Sequence, residues 1–430
     1  MNNKHILHIT AVTEVGPDGQ KCTQAVLEYD RPLAADTAAD AFEVEKRTIT
    51  GIEVSDNTVT LLLSPDDEAA SLFHPGNPWQ HTTTVLDEAA VAVRQRGPVR
   101  AADGSVLEAP GNISSDEALS DDAAPASGAA CSDTGDSRKT AVCSDTGDSR
   151  KAAAPMSFAA DRNDRVRNLV VDDFIQGEFE GLSYNLFIPK DCEPGKTYPL
   201  VQFIHDAGPC GKEPKLTLTQ GVGAIVWAKP EEQAKRKCFV LAPQFDGPPI
   251  VDDDWNVDPR LETAKRLLDW VCETYPVDRS RLYTTGQSMG CMSSIELNVR
   301  YPDLFAASYL VAGQWDDRQI QGLEKQNLWM LNSMGDAKAF PIMNQMTCEM
   351  ESKGALVARK IIDAGASQEE YDEIAKELIA TGANVIYTPY RIETVANGWS
   401  SRGGEHHVNT WKTAYDIEAI REWMFAQEKL

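Results

Sequence analysis

Gly286-Gln287-Ser288-Met289-Gly290 sets a serine between two glycines, directly after the apolar run Leu282-Tyr283-Thr284-Thr285. A serine hydroxyl is a poor nucleophile at its free pKa. To attack a carbonyl it needs a general base, and the base needs a carboxylate to orient it. Where Gly-x-Ser-x-Gly marks a nucleophile elbow, the partners follow in the chain order serine, acid, histidine. The chain has seven histidines: His5, His8, His74, His81, His205, His406 and His407. Only the last two follow Ser288, in the run Gly403-Gly404-Glu405-His406-His407. His407 is favoured as the base, and the doublet leaves His406 as the alternative. Acids after the serine include Asp303, Asp316, Asp317, Asp336 and Glu349. Asp303 follows Tyr301-Pro302 at a helix end, and Asp316 and Asp317 suit helix caps. Asp336 lies past the apolar run Leu328-Trp329-Met330-Leu331, after a turn containing Gly335, which suits an orienting carboxylate. The chemistry of such a set is acyl transfer through a covalent acyl-enzyme. Its oxyanion would be held by the N–H of Met289 and by one from Asp206-Ala207-Gly208-Pro209, with Ala207 the favoured donor.

These residues require a parallel sheet whose strand ends converge. The serine motif has the required surroundings: a β-branched and aromatic run before it, and the helical spacing Met289, Met292, Ile295, Glu296, Val299 after it. Strand-like runs at 182–188, 199–205, 238–242, 306–312, 328–331 and 384–390 alternate with helical stretches at 260–274 and 411–427. That alternation predicts an α/β domain over 161–430, its mostly parallel sheet covered by helices on both faces, with the site at the C-terminal strand ends. Residues 1–112 read differently. Runs at 6–15, 24–29, 43–52, 58–63 and 91–99, with turn chemistry at Pro17-Asp18-Gly19 and Ser55-Asp56-Asn57, predict a small all-β sandwich of immunoglobulin-like kind. Between the two, residues 113–160 are rich in Ser, Asp, Ala and Gly. They repeat Cys-Ser-Asp-Thr-Gly-Asp-Ser-Arg-Lys at 131–139 and 143–151. Such a segment is expected to be a flexible insertion without a core of its own.

Composition narrows the function classes. A net charge of −25 over 430 residues opposes binding to nucleic acid or to anionic membranes. No apolar run is long enough to span a bilayer, and residues 1–8 lack the apolar core of a secretory leader, so a cytoplasmic location is expected. The nine cysteines are scattered, with no CxxC pair, and suggest neither a disulfide framework nor a metal site; no cofactor is expected. Other reactive types have plainer readings. Cys291 and His205 read as packing residues, and Asp252-Asp253-Asp254 as a solvated loop. Trp227, Gln244, Trp255, Trp315 and Trp399 lie near strand ends and line either the core or a pocket.

Tyr275-Pro276-Val277-Asp278, Arg281-Leu282-Tyr283, the serine motif, Tyr301-Pro302-Asp303-Leu304-Phe305-Ala306-Ala307 and Leu241-Ala242-Pro243-Gln244 together resemble the α/β-hydrolases related to polyhydroxybutyrate depolymerases and prolyl-oligopeptidase-type catalytic domains. Within that group the chain resembles bacterial esterases with an N-terminal immunoglobulin-like domain. The resemblance covers roughly 166–430 for the catalytic part and implies Ser288 as nucleophile, Asp336 as acid and His407, four residues before Trp411, as base. One departure stands out: the His-Gly opening of the oxyanion loop in that family is His205-Asp206 here. The implied activity is a serine carboxylesterase acting on a small-molecule ester. The alternatives are a peptidase of prolyl-oligopeptidase type and an inactive hydrolase fold used for binding. The sandwich is expected to shade the cleft or to support a homo-oligomer.

Overall fold

The computed structural model describes residues 5–77, 82–109, 160–395 and 404–429. The 12-residue duplication and Trp399 lie outside them. The N-terminal domain packs two sheets. One has the strand order Arg165–Asn168, Ile6–Gly16, Gly19–Tyr29, Thr58–Leu63, Ile49–Ser55. The other runs Asp161–Arg162, Ala92–Gln95, Phe42–Val44. Side chains on a strand alternate between faces, so Leu27, Tyr29, Val59 and Leu61 of the first sheet turn inward, each fully buried. They meet Phe42, Val44 and Val93 of the second.

Two local departures from the sequence reading have physical causes. The expected strand over 43–52 is broken by a turn at Lys46, whose φ of 58° is left-handed, and the chain there changes sheets. The run over 91–99 stops at Gln95 and resumes at Val99, after Pro98, which has no N–H to give a ladder. Residues 161–168 also sit with the sandwich, although they lie beyond the insertion. Arg165–Asn168 pairs in parallel with Thr10–Thr13, and Asp161–Arg162 pairs with Val93 and Ala92.

The second domain is built on nine strands, in chain order β1 Phe174–Phe179, β2 Leu182–Phe187, β3 Tyr198–Ile204, β4 Phe239–Gln244, β5 Val277–Gln287, β6 Ala307–Val311, β7 Leu328–Leu331, β8 Val357–Arg359 and β9 Val385–Tyr387. The sheet order is β1-β2-β4-β3-β5-β6-β7-β9-β8. The pairs β1/β2 and β2/β4 are antiparallel and every later pair is parallel. This is the α/β-hydrolase arrangement, with an antiparallel arm at one edge. Both faces are buried, and period-2 alternation divides the strands between two cores. Val201, Phe203, Trp329, Leu331 and Ile386 face the helices Gln368–Ala380, Gly404–Ala414 and Glu418–Phe425. Leu200, Leu328, Met330, Val385 and Tyr387 face Arg260–Thr274, Met289–Arg300 and Ala339–Ser352.

One helix is expected over 411–427 at the chain end. The structure has two helices there, divided where the Tyr415 carbonyl accepts from the Arg421 guanidinium instead of from the backbone. No helix among the described residues is long and apolar enough to cross a membrane.

Candidate active site

Ser288 stands where β5 ends and the helix Met289–Arg300 begins, with φ 52° and ψ −118°. A non-glycine residue at such angles costs about 1–3 kcal/mol and persists only where its surroundings enforce it. The enforcement is visible. The Ser288 N–H donates to the Val311 carbonyl at 3.0 Å, and the serine carbonyl accepts from Met292 N–H at 3.0 Å. The two flanking glycines are demanded by close packing. A Cβ on Gly290 would stand 1.9 Å from the Ile204 carbonyl oxygen, and one on Gly286 would stand 2.5 Å from the same atom. The elbow therefore sits against the end of β3 with no room for a methyl group. Met289 is the first residue of its helix, so its N–H has no carbonyl one turn back to bond. The helix dipole adds positive potential at that end.

His407 lies beside the serine, its Nε2 2.9 Å from Ser288 Oγ. Its Nδ1 is 2.5 Å from Asp336 Oδ2. An ionised carboxylate only accepts, so Nδ1 carries the proton and Nε2 is left to accept from the serine hydroxyl. Asp336 Oδ1 accepts the N–H groups of Lys338 at 3.0 Å and Ala339 at 2.9 Å, at the start of the helix Ala339–Ser352. Burial pushes the Asp336 pKa up, but the His407 hydrogen bond and charge and the two backbone N–H groups outweigh it and hold the carboxyl below its usual range. The Trp411 ring meets the His407 ring edge-on, with centroids 5.1 Å apart, and limits how far the imidazole can swing.

His406 goes elsewhere. It is buried at 1 % exposure, with Nδ1 3.2 Å from Ser333 Oγ. The doublet lies in the first turn of the helix Gly404–Ala414, which begins before the helical stretch expected from 411. Neighbouring helical residues point about 100° apart, so only one of the pair can face the serine. His406 instead packs under the turn that carries Asp336. A Cβ on Gly335 would lie 2.4 Å from His406 Cγ. Gly335→Ala is therefore expected to destabilise the fold by about 1–3 kcal/mol through overpacking and to lower turnover by shifting Asp336. Thermal melting with ester kinetics checks both; an unchanged melting temperature would show that the His406 ring has room to yield.

The loop after β3 is braced from several sides. His205 is fully buried; its Nδ1–H donates to the Asp206 carbonyl at 2.6 Å and its Nε2 accepts from Phe245 N–H at 3.0 Å. Burial lowers its pKa to about 4, so it stays neutral and structural. Gln244, also buried, donates to the carbonyls of Pro209 and Gly211. Asp206 Oδ1 accepts from Gly208 N–H at 2.8 Å, and its Oδ2 accepts from Gln287 Nε2 at 3.0 Å. Gln287 directly precedes the serine, so the Asp206 carboxylate ties the two loops expected to supply the oxyanion donors. Desolvation raises the Asp206 pKa against those two hydrogen bonds. Gln287 stands at a position that the Gly-x-Ser-x-Gly pattern leaves open, so the motif alone does not announce this role.

Ala207 borders the cavity on both sides of Ser288. One lobe, of about 360 Å³, is walled by Phe73, Pro75, Val408 and Trp411. The other, of about 450 Å³, is walled by Val251, Met289, Met292, Gln314 and Lys338. The first lobe is shared between domains, as expected of a sandwich that shades the cleft. Lys412, on the His407 helix, pairs with Asp18 of the sandwich at 2.6 Å. The remaining sequence candidates fall outside the chemistry. Cys291 is fully buried, and desolvation raises its pKa far above that of a free thiol. Trp227 is a core residue donating to the Gly223 carbonyl, and Trp255 and Trp315 pack on each other edge-on. In the acidic run, Asp252 accepts from the backbone N–H groups of Asp254 and Asn256, and Asp253 pairs with Lys338.

Residues 8–108 match the family described as the esterase Ig-like N-terminal domain. Over its whole length the chain is similar to the crystal structure of a thermostable esterase, with TM-score 0.73 and 21% identity, covering 99% of this chain and 100% of that one. It is also 43% identical over 47 residues to acetylxylan esterase A of Emericella nidulans, a stretch covering 11% of this chain and 16% of that protein. The likenesses agree with an immunoglobulin-like domain followed by an α/β-hydrolase fold.

Proposed function

We propose that the protein is a serine carboxylesterase in which Ser288 is the nucleophile, His407 the general base and Asp336 the carboxylate that orients it. The observation that carries this reading is the unbroken chain Asp336–His407–Ser288, with hydrogen-bond distances of 2.5 and 2.9 Å and the serine on a strained elbow. His407 Nε2 takes the hydroxyl proton as Ser288 Oγ attacks the ester carbonyl. The oxyanion of the tetrahedral intermediate accepts from the N–H groups of Met289 and Ala207. Collapse expels the alcohol, which takes its proton from His407. Water, deprotonated by His407, then attacks the acyl-enzyme and releases the acid along the same path.

Two lobes of about 360 and 450 Å³ on either side of the serine suit a compact substrate with one short arm in each. The 47-residue likeness to an acetylxylan esterase makes acetyl esters the first substrates to try. The test is hydrolysis of p-nitrophenyl acetate, butyrate and octanoate beside aminoacyl-proline anilides, with labelling by a fluorophosphonate. Ester turnover that declines with chain length, with no anilide cleavage, is the expected result. Anilide cleavage at comparable kcat/KM would replace the esterase with a peptidase. Failure of both turnover and labelling would leave a hydrolase fold used for binding.

A further inference from the structure

Besides lining one lobe, the N-terminal domain bonds the loop after β3 through a buried hydroxyl. Phe73–His74 pairs with Val85–Leu86, and Asn77 is bonded across to Thr82 at 2.7 and 3.1 Å. Thr84, 9 % exposed, stands between these strands and the second domain. Its Oγ1 accepts from Gly76 N–H at 2.8 Å and donates to the Gly208 carbonyl at 2.6 Å. Both capacities of the hydroxyl are used, so its orientation is fixed.

Gly208 is the member of the loop with the widest backbone freedom, and Pro209 after it has no N–H to anchor that peptide. The N–H of Gly208 is already tied by Asp206 and the carbonyls of Pro209 and Gly211 by Gln244. The Gly208 carbonyl is the remaining polar handle, and it is held from the other domain. Turning the 208–209 peptide would slacken the Asp206–Gly208 turn and with it the aim of the Ala207 N–H. We infer that Thr84 is a positioning residue for the oxyanion hole, acting across the domain boundary through Gly208. The inference rests on the serine-esterase reading above. It gives the sandwich a part in transition-state stabilisation, separate from any part in shading the cleft.

Thr84→Val keeps the shape and removes the hydroxyl; Thr84→Ser keeps the hydroxyl; Thr84→Ala covers the event that valine is not accommodated. Each is made in the full chain and assayed for kcat and KM on p-nitrophenyl acetate, for the rate of fluorophosphonate labelling and for melting temperature. Removal of one net hydrogen bond is felt as up to about tenfold. A loss of about tenfold is therefore expected in kcat and labelling rate for Thr84→Val and Thr84→Ala, with KM within about twofold and Thr84→Ser close to wild type. A lowered melting temperature with kcat of the folded protein unchanged would make Thr84 purely structural and overturn the inference. So would a Thr84→Ser variant as slow as Thr84→Val. If wild type neither turns over nor labels, the esterase reading fails and the inference falls with it; if wild type is active and Thr84→Val equals it, only the inference falls.

Discussion

Ser288→Ala is expected to lower kcat on p-nitrophenyl acetate by about 10⁶-fold and to abolish fluorophosphonate labelling, with melting temperature nearly unchanged. The size follows from how the set works: with no nucleophile there is no acyl-enzyme, and only the oxyanion donors and binding remain. The variant should still fold, because the hydroxyl's partner is the ring of His407 and the elbow is held by backbone bonds to Val311 and Met292. Ser288→Gly sharpens the test. At φ 52° a glycine escapes the conformational penalty that serine bears, which sets about 1 kcal/mol or more of relieved strain against the greater freedom of glycine in the unfolded chain. An inactive variant at least as stable as wild type would show that the elbow sacrifices stability for function. Turnover within tenfold of wild type in Ser288→Ala would remove Ser288 from the mechanism and leave the proposed function without support.

The elbow is legible because its chemistry and its conformation are written in five consecutive residues: a serine nucleophile would need a tight turn, and the turn at the end of β5, packed against the end of β3, needs glycines on both sides. Asp336 can be singled out by its place after an apolar strand. The doublet is not resolved so easily. Gly403-Gly404 reads as loop, whereas the helix starts at Gly404, and the helical phase decides which imidazole faces the serine. The sandwich strands of 161–168 are hidden for another reason: an exposed edge strand such as Arg165–Asn168 carries no apolar alternation, so its parallel pairing with residues 10–13 leaves no pattern in the chain. The Thr84–Gly208 contact joins residues 124 apart, and Asp206–Gln287 joins an apparent family departure to a motif's variable position. Both are products of tertiary packing, with no local signal to announce them.

Asp336→Asn isolates the role of the carboxylate with almost no change of shape. The introduced amide can keep its carbonyl oxygen toward the N–H groups of Lys338 and Ala339, the two bonds that cap the helix Ala339–Ser352. Its NH₂ then faces His407 Nδ1 and can only donate. The imidazole must answer with the other tautomer, in which Nε2 carries the proton and can no longer accept from Ser288. A loss of about 10⁴-fold in kcat is expected, the scale seen when a triad carboxylate becomes an amide, with KM little affected. The same substitution carries a stability signature whose sign is fixed by the depressed pKa of Asp336. Its folded-state pKa lies below the unfolded value of about 3.9. Its contribution to stability is therefore complete above that value and is lost as the pH falls through the lower, folded one. Wild type should be the more stable protein at neutral pH, and the gap should close in acid, because the amide does not titrate. Denaturation midpoints measured from neutrality into acid well below the unfolded value of about 3.9 would show the gap narrowing. A gap that stays constant with pH would mean that Asp336 is not held ionised by His407. A kcat loss below tenfold would mean that another group orients the imidazole.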